Sequence, residues 1–350
     1  MNDIPSQNPD EIMSPLSSDI AESVLEPETN ITRSTVPAGY QLAIALILLS
    51  GVFGISYVPW LNTRGSAPTT VEKSVRSKET PANVEKTVVN EPNIEASSAF
   101  VWDVRDQRAL FNKNASAQLP LASLTKLMTA LVATEALGKK NKVAMTLDAI
   151  NQDGSSDFRD GEQFDPRALT DFTLVSSSND GAYALAAAAG AILNHNADPT
   201  KTFIAAMNAR AEALGLSQTY FTNPTGLDAS DKKSGSYGSA RDMAFLMEYL
   251  LENRPEIIEA TTQKLTSVDG SSHHSATNTN EVIDKIPGLI GTKTGYTDLA
   301  GGNLVVAFDA GLNHPVVVSV LGSTREGRFK DVLSLINYAQ HRISNNNSKQ

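Results

Sequence analysis

The sequence predicts an α+β domain: an antiparallel sheet flanked by helices, with a helical subdomain beside it. Three observations carry that expectation. Residues 99–104, AFVWDV, and 108–111, RALF, read as two strands of a hairpin turned at Arg105, Asp106 and Gln107. The middle of the chain repeats its apolar residues at helical spacing. Towards the end, GLIGTKTGYT, NLVVAF and PVVVSVLGS alternate or run apolar as adjacent antiparallel strands do. Strands, then helices, then strands and a closing helix are segregated rather than alternating, which is the α+β order.

Taken in order, the first helix is expected over Leu121–Leu137, behind Pro120 and stopped by Gly138. An Ala-rich helix follows over Asp180–Leu193. Another spans Ser239–Asn253, opened by Ser239 with Asp242 three residues later as a capping pair. Arg328–Ile343 closes the domain as an amphipathic helix. The globular part is expected to run from residue 94 to 345.

The 350-residue chain is 41% apolar and 19% charged, an ordinary globular composition. Its net charge of −10 argues against nucleic acid as a partner, since phosphate binding needs a dense cationic face. There is no cysteine, so disulfides and thiolate chemistry are excluded. The five histidines, His195, His273, His274, His314 and His341, form no HExxH and read as exposed polar side chains, and no metal or cofactor is expected.

Ahead of the domain, no charged residue lies between Arg33 and Arg64, and Tyr40–Leu61 is almost wholly apolar. About 20 such residues span a bilayer, and Tyr40, Tyr57 and Trp60 sit where aromatic rings favour the headgroup region. The expectation is an uncleaved transmembrane anchor over 39–61, with the lipid bilayer as partner. Before it, 1–38 is a disordered acidic tail on the cytoplasmic side; after it, 62–93 is a flexible linker. Arg64, Lys73, Arg76 and Lys78 follow the span, which runs against the positive-inside rule, a rule that weakens when a long domain is exported.

Three short motifs carry chemistry. Ser123-Leu-Thr-Lys126 opens the first helix, and residues three apart share a helix face, so the lysine amine reaches the serine hydroxyl. The helix start adds backbone N–H groups for a developing oxyanion. Alone this pattern is weak, because Ser230 and Lys233 repeat it in a polar loop without an apolar helix to bury the lysine. Ser177-Ser178-Asn179 precedes the Ala-rich helix and presents a hydroxyl and an amide. It too has chance copies, at Ser6 to Asn8 and Ser344 to Asn346. Lys293-Thr294-Gly295, followed by Tyr296, occurs once, on an expected strand. There Lys293 can bind a carboxylate and depress the pKa of Lys126, Thr294 adds a hydroxyl, and Gly295 lets substrate approach the backbone.

The order of the three motifs and their settings resemble the low-molecular-mass penicillin-binding proteins, the serine D-alanyl-D-alanine carboxypeptidases, over roughly residues 95–343. LPLASLTKLMTALVA, LVSSSNDGAYALA, NPTGLDAS, GSARDMA and GTKTGYTDLAGGNL are similar to that family's phrasing. The resemblance implies a β-lactamase/DD-peptidase-like fold. It also implies Ser123 as acylated nucleophile, Lys126 as its proton acceptor, and Ser177, Asn179 and Lys293 as the polar network, with an oxyanion hole from the N–H groups of Ser123 and Tyr296. Implied partners are peptidoglycan stems ending in D-Ala-D-Ala, and β-lactams as covalent inhibitors.

Ser178 departs from the glycine the family often has. A class A β-lactamase would need a further glutamate for deacylation, and the nearest string, Glu248 to Glu252, lies inside an ordinary helix. A D,D-endopeptidase cutting cross-links would keep every motif, and a non-catalytic wall or β-lactam sensor is the alternative outside enzymes.

Overall fold

The computed structural model describes residues 90–139, 141–154 and 156–347. The tail, the anchor and most of the linker expected above lie outside the described residues. Among the described residues no helix is long and apolar enough to cross a membrane.

Numbering only the elements that frame the site, the chain runs β1 (Ser98–Asp103), β2 (Arg108–Lys113), α1 (Thr125–Ala136), α2 (Pro166–Ser176), α3 (Asn179–Leu193), α4 (Pro199–Ala213), α5 (Ala240–Asn253), β3 (Leu289–Thr297), β4 (Gly301–Asp309), β5 (Pro315–Ser323) and α6 (Gly327–Asn347). The five strands form one antiparallel sheet in the order β3-β4-β5-β1-β2. The hairpin and the three late strands read from sequence are therefore its whole content, joined where β1 pairs β5.

Strand alternation separates two cores. Val306, Phe308, Val316, Val318 and Val320 pack with Phe329, Val332, Leu335, Ile336 and Ala339 of α6. Their neighbours Val305, Ala307, Val317 and Leu321 join Phe100 and the residues of α1 and α5 on the other face. α1 buries nine of its residues from Thr125 to Ala133, as expected of a helix between sheet and subdomain. Lys293 pairs with Val305 across the ladder, so its side chain leaves the sheet on the helical face.

Two of the longer helices were not read from sequence, although both carry a start signal: Asp165-Pro166 opens α2 and Asp198-Pro199 opens α4. Each aspartate accepts N–H bonds of the first turn and each proline sits where a missing N–H costs nothing. Ser239 caps α5 as expected, accepting from the Asp242 N–H at 3.0 Å. The Asp242 carboxylate does not return to the cap; it accepts from Gln218 N and Thr219 Oγ1, which ties the preceding loop to the helix.

The histidine reading needs correction. His195, His273 and His341 are exposed, but His274 and His314 are buried, each against a carboxylate, Glu162 at 3.0 Å and Asp103 at 2.7 Å. A buried ring nitrogen needs a partner, and both found one far away in the chain. Asp103, Asp106 and His314 lie close enough together to suggest a cation site, yet Arg108 already bridges both aspartates at 3.1 and 3.3 Å.

Candidate active site

The nucleophile candidate is not inside the helix proper. Leu121–Leu137 divides into a 3-10 turn over Ala122–Leu124 and then α1, so Ser123 sits on the tighter turn. The cause is Ala122, whose φ of +49° is left-handed and breaks helical continuation. Two contacts hold this strained backbone. Thr125 Oγ1 donates to the Ala122 carbonyl at 2.6 Å, and Gly226, at φ +79°, lies so close that a Cβ there would stand 1.9 Å from the Ala122 oxygen. Only glycine permits that approach.

Lys126, one turn later, is fully buried. Its Nζ donates to Ser123 Oγ at 2.9 Å, to Asn179 Oδ1 at 2.6 Å and to the Thr225 carbonyl at 2.7 Å, which uses all three protons of an ammonium. Burial lowers its pKa to about 7, opposed by the Asp180 carboxylate.

Lys293 is the second buried amine; it donates to Ser177 Oγ and to the Thr294 carbonyl, each at 2.9 Å. Burial drives its pKa well down, and the Lys126 and Arg328 charges push the same way. The two buried amines thus oppose each other's charge, as the sequence led us to expect.

Ser177 reaches Lys293 because it ends α2 in a left-handed conformation, φ +63°. Asn179 begins α3, with its amide Nδ2 donating to the Asp153 carbonyl at 2.6 Å, which fixes Oδ1 toward Lys126. Ser178, between them, is buried and caps α3 by accepting from Gly181 N at 3.0 Å.

On β3, Thr294 Oγ1 shares a 2.6 Å bond with Thr279 Oγ1, and Tyr296 is exposed under the Arg325 guanidinium at 4.4 Å. Gly295 has a second use that the sequence did not suggest. A Cβ there would meet Leu121 O at 3.0 Å and Ser123 N at 3.1 Å, so the missing side chain lets β3 lie against the nucleophile turn itself.

Contacts bring Ser123, Lys126 and Asn179 together, join Ser177 to Lys293, and lay Gly295 against the Ser123 turn, where α1, α3 and β3 converge; Thr294 and Tyr296 flank Gly295 on the same strand. The second SxxK does not join them: Ser230 and Lys233 bridge one another in an exposed turn. Ser344 lies on α6, and Ser6 and Asn8 lie outside the described residues. Sequence reasoning missed Asp153 and Thr225, which act through carbonyls that no side-chain pattern marks. It also missed Arg328, whose Nη1 donates to the Gly295 carbonyl at 2.7 Å while its buried Nε has no partner. One signal was available for Arg328: a cation in the first turn of a helix opposes the macrodipole and needs a reason.

The arrangement can perform acyl transfer. A hydroxyl stands against an amine near neutrality, and beside them are a second buried amine and a guanidinium, donors able to hold an anionic group.

Residues 85–325 match the profile of peptidase family S11, D-alanyl-D-alanine carboxypeptidase. The D-alanyl-D-alanine carboxypeptidase DacF of Bacillus subtilis is 31% identical over 252 residues, covering 70% of this chain and 62% of that protein. This chain thus spans less than two thirds of that relative's length. The D-alanyl-D-alanine endopeptidase of Escherichia coli is 30% identical, covering 67% of this chain and 74% of that one. Penicillin-binding protein D2 of Listeria monocytogenes, in its ampicillin-bound form, superposes with a TM-score of 0.59 at 30% identity, covering 71% of this chain and 98% of that chain. The β-lactamase/DD-peptidase-like architecture expected from the motifs is the one these structures share. The chain belongs to the D-alanyl-D-alanine carboxypeptidase family.

Proposed function

We propose that the protein is a serine D,D-carboxypeptidase that trims peptidoglycan stem peptides. The observation that carries this reading is Lys126 Nζ at 2.9 Å from Ser123 Oγ with a pKa of about 7, a base half discharged at neutral pH. An ordinary lysine, near about 10.4, would be almost wholly protonated.

Lys126 takes the hydroxyl proton as Ser123 Oγ attacks the carbonyl carbon between the two terminal D-alanines. The C–N bond breaks, the Lys126 proton passes to the leaving nitrogen, and D-alanine departs. Water, deprotonated by the same amine, then attacks the ester; the proton returns to Ser123 Oγ and the shortened stem leaves. The terminal carboxylate is held by Lys293 and by Arg328, whose Nη1 already reaches the Gly295 carbonyl of the same strand. Thr294, Gly295 and Tyr296 line the same strand, and the N–H groups of Ser123 and Tyr296 receive the oxyanion. A β-lactam, whose ring amide opens on attack, leaves its ester on Ser123. The Listeria relative was crystallised with ampicillin, which supports that expectation.

Exposure of the full chain to penicillin, followed by intact mass measurement beside Ser123→Ala, tests the reading. Release of D-alanine from a D-Ala-D-Ala peptide and cleavage of a cross-linked stem dimer are assayed in parallel. An adduct lost in the variant, with D-alanine released, is the expected result. Dimer cleavage without release would favour the endopeptidase reading, which the Escherichia coli relative's name supports; an adduct with neither activity would leave a sensor. No adduct would remove Ser123 as nucleophile.

The reading places the catalytic domain, residues 94–345, outside the cytoplasm, tethered to the cell membrane by the apolar run 39–61 through the linker 62–93. Its support is the uncharged stretch between Arg33 and Arg64. Retention in the membrane pellet after alkaline extraction, with the domain digested by protease added to spheroplasts, is the expected outcome. Release into the soluble fraction would refute the anchor.

A further inference from the structure

Residues 177–180 reach out in four directions. Ser177 accepts from Lys293, Ser178 Oγ shares a 2.6 Å bond with Ser156 Oγ, Asn179 bridges Lys126 and the Asp153 carbonyl, and Asp180 accepts the Ser156 N–H at 2.9 Å. Three of these four end on Asp153 or Ser156, so both residues are fastened to the start of α3 by a single turn. The bond from Ser178 is one that the glycine often found there in the family could not make.

Asp180 is the member no motif explains. Its side chain is fully buried, and its second oxygen, Oδ1, has no hydrogen-bond partner. A half-paired buried carboxylate is costly unless something nearby rewards its charge. Lys126 gains a positive charge each time it takes the Ser123 proton, and the groups it touches, Ser123, Asn179 and the Thr225 carbonyl, are all neutral. Lys293 on β3, with Arg328 of α6 beside it, brings only positive charge. Asp180 on α3 is the anion that acts on Lys126, and Asp157, next to Ser156, faces Asp180 with charge of the same sign.

We propose that Asp180 is a positioning residue for Lys126. One carboxylate oxygen holds the Ser156 N–H, three residues on from the Asp153 carbonyl that aims Asn179, while the buried charge supports the Lys126 ammonium formed during acylation. The inference rests on the reading of Lys126 as base, and it adds a residue that touches neither substrate nor reacting atoms.

Asp180→Asn separates the two tasks, because the amide oxygen still accepts the Ser156 N–H while the charge is gone. The measurement is the rate of penicillin acylation of the full chain against pH, read by intact mass. In Asp180→Asn the acid limb of the profile should move down by about one pH unit, with a lower plateau. Asp180→Glu should return the limb toward its original position, and Asp180→Ala, losing the Ser156 bond and the charge together, should be slower than Asp180→Asn at every pH. Asp180→Ser serves as a second neutral variant if the amide disturbs folding. A limb unmoved in either neutral variant that keeps the native melting profile would overturn the proposal. Absence of any Ser123 adduct in the unaltered chain would overturn the peptidase reading itself, and this inference with it.

Discussion

In the sheet, the His314 ring meets Asp103 at 2.7 Å, and in the hairpin Leu265–Thr277 the His274 ring meets Glu162 at 3.0 Å. In the cleft, Lys126, Lys293 and Arg328 are buried just as deeply but bond to hydroxyls, an amide and carbonyls instead of carboxylates. The first region pairs each buried titratable group with its complement, so the group serves the fold. The second gives the amines no bonded counter-charge, so burial pushes their pKa values down. Complementary burial stabilises; unbalanced burial prepares a group for chemistry and for an anionic ligand.

The comparison breaks first at Lys126. Lys126→Ala should slow acylation by about 10²–10⁴-fold, the range of a general base, with the fold kept. An adduct forming at the original rate would show that the discharged amine is incidental. Gly226→Ala should follow, since its Cβ would stand 1.9 Å from the Ala122 carbonyl and push the nucleophile turn aside. Misplacement by about 1 Å costs on the order of 10²-fold, read from the same adduct kinetics. Unchanged kinetics would mean the turn is not held by that contact.

A third test reads the charge imbalance as stability. Lys126 carries a pKa of about 7 folded against 10.5 as the ordinary value, and Lys293 is lowered too. Between those limits the unfolded chain binds more protons than the folded one, so raising the pH favours the fold. Each amine contributes about 1.4 kcal/mol per pH unit within its window. Melting temperature should therefore climb from pH 7 to 9, and Lys126→Met should lose part of that slope. An equal slope in both would contradict the lowered amine.

Much of the site was legible because its chemistry depends on local spacing. Ser123 and Lys126 are one helical turn apart, and Ser177 and Asn179 share a turn. Lys293, Thr294 and Gly295 are consecutive on one strand. What stayed hidden depends on pairing across the chain. Thr225 and Asp153 contribute carbonyls, which every residue has. The exposed reading of His274 and His314 failed because their carboxylates lie 112 and 211 residues away. α2 and α4 were hidden for a lesser reason: their Asp-Pro starts were present, but Ala- and Thr-rich periodicity is a shallow signal. The 3-10 turn under Ser123 could not be read at all, since it depends on Gly226 standing against Ala122 from another part of the chain.

The smallest expected effect lies on the structural side of the contrast. Burial raises the Glu162 carboxyl, but the Arg159 N–H, His274 and the Ser271 hydroxyl outweigh it and bring the pKa from 4.5 to about 2. A carboxyl lowered on folding stabilises above its unfolded pKa, and that contribution fades as the pH falls from about 4.5 through about 2. Glu162→Gln keeps the size and one acceptor but loses the charge facing His274. It should cost about 1 kcal/mol near neutral pH, seen as a lower urea midpoint, with the gap to the original chain closing as the pH approaches 2. Acylation of Ser123 should be unchanged, because Glu162 touches none of α1, α3 or β3. A gap that persists in acid would assign the loss to packing against Phe158 and Phe164, and a fall in acylation would erase the distinction between the two kinds of buried charge.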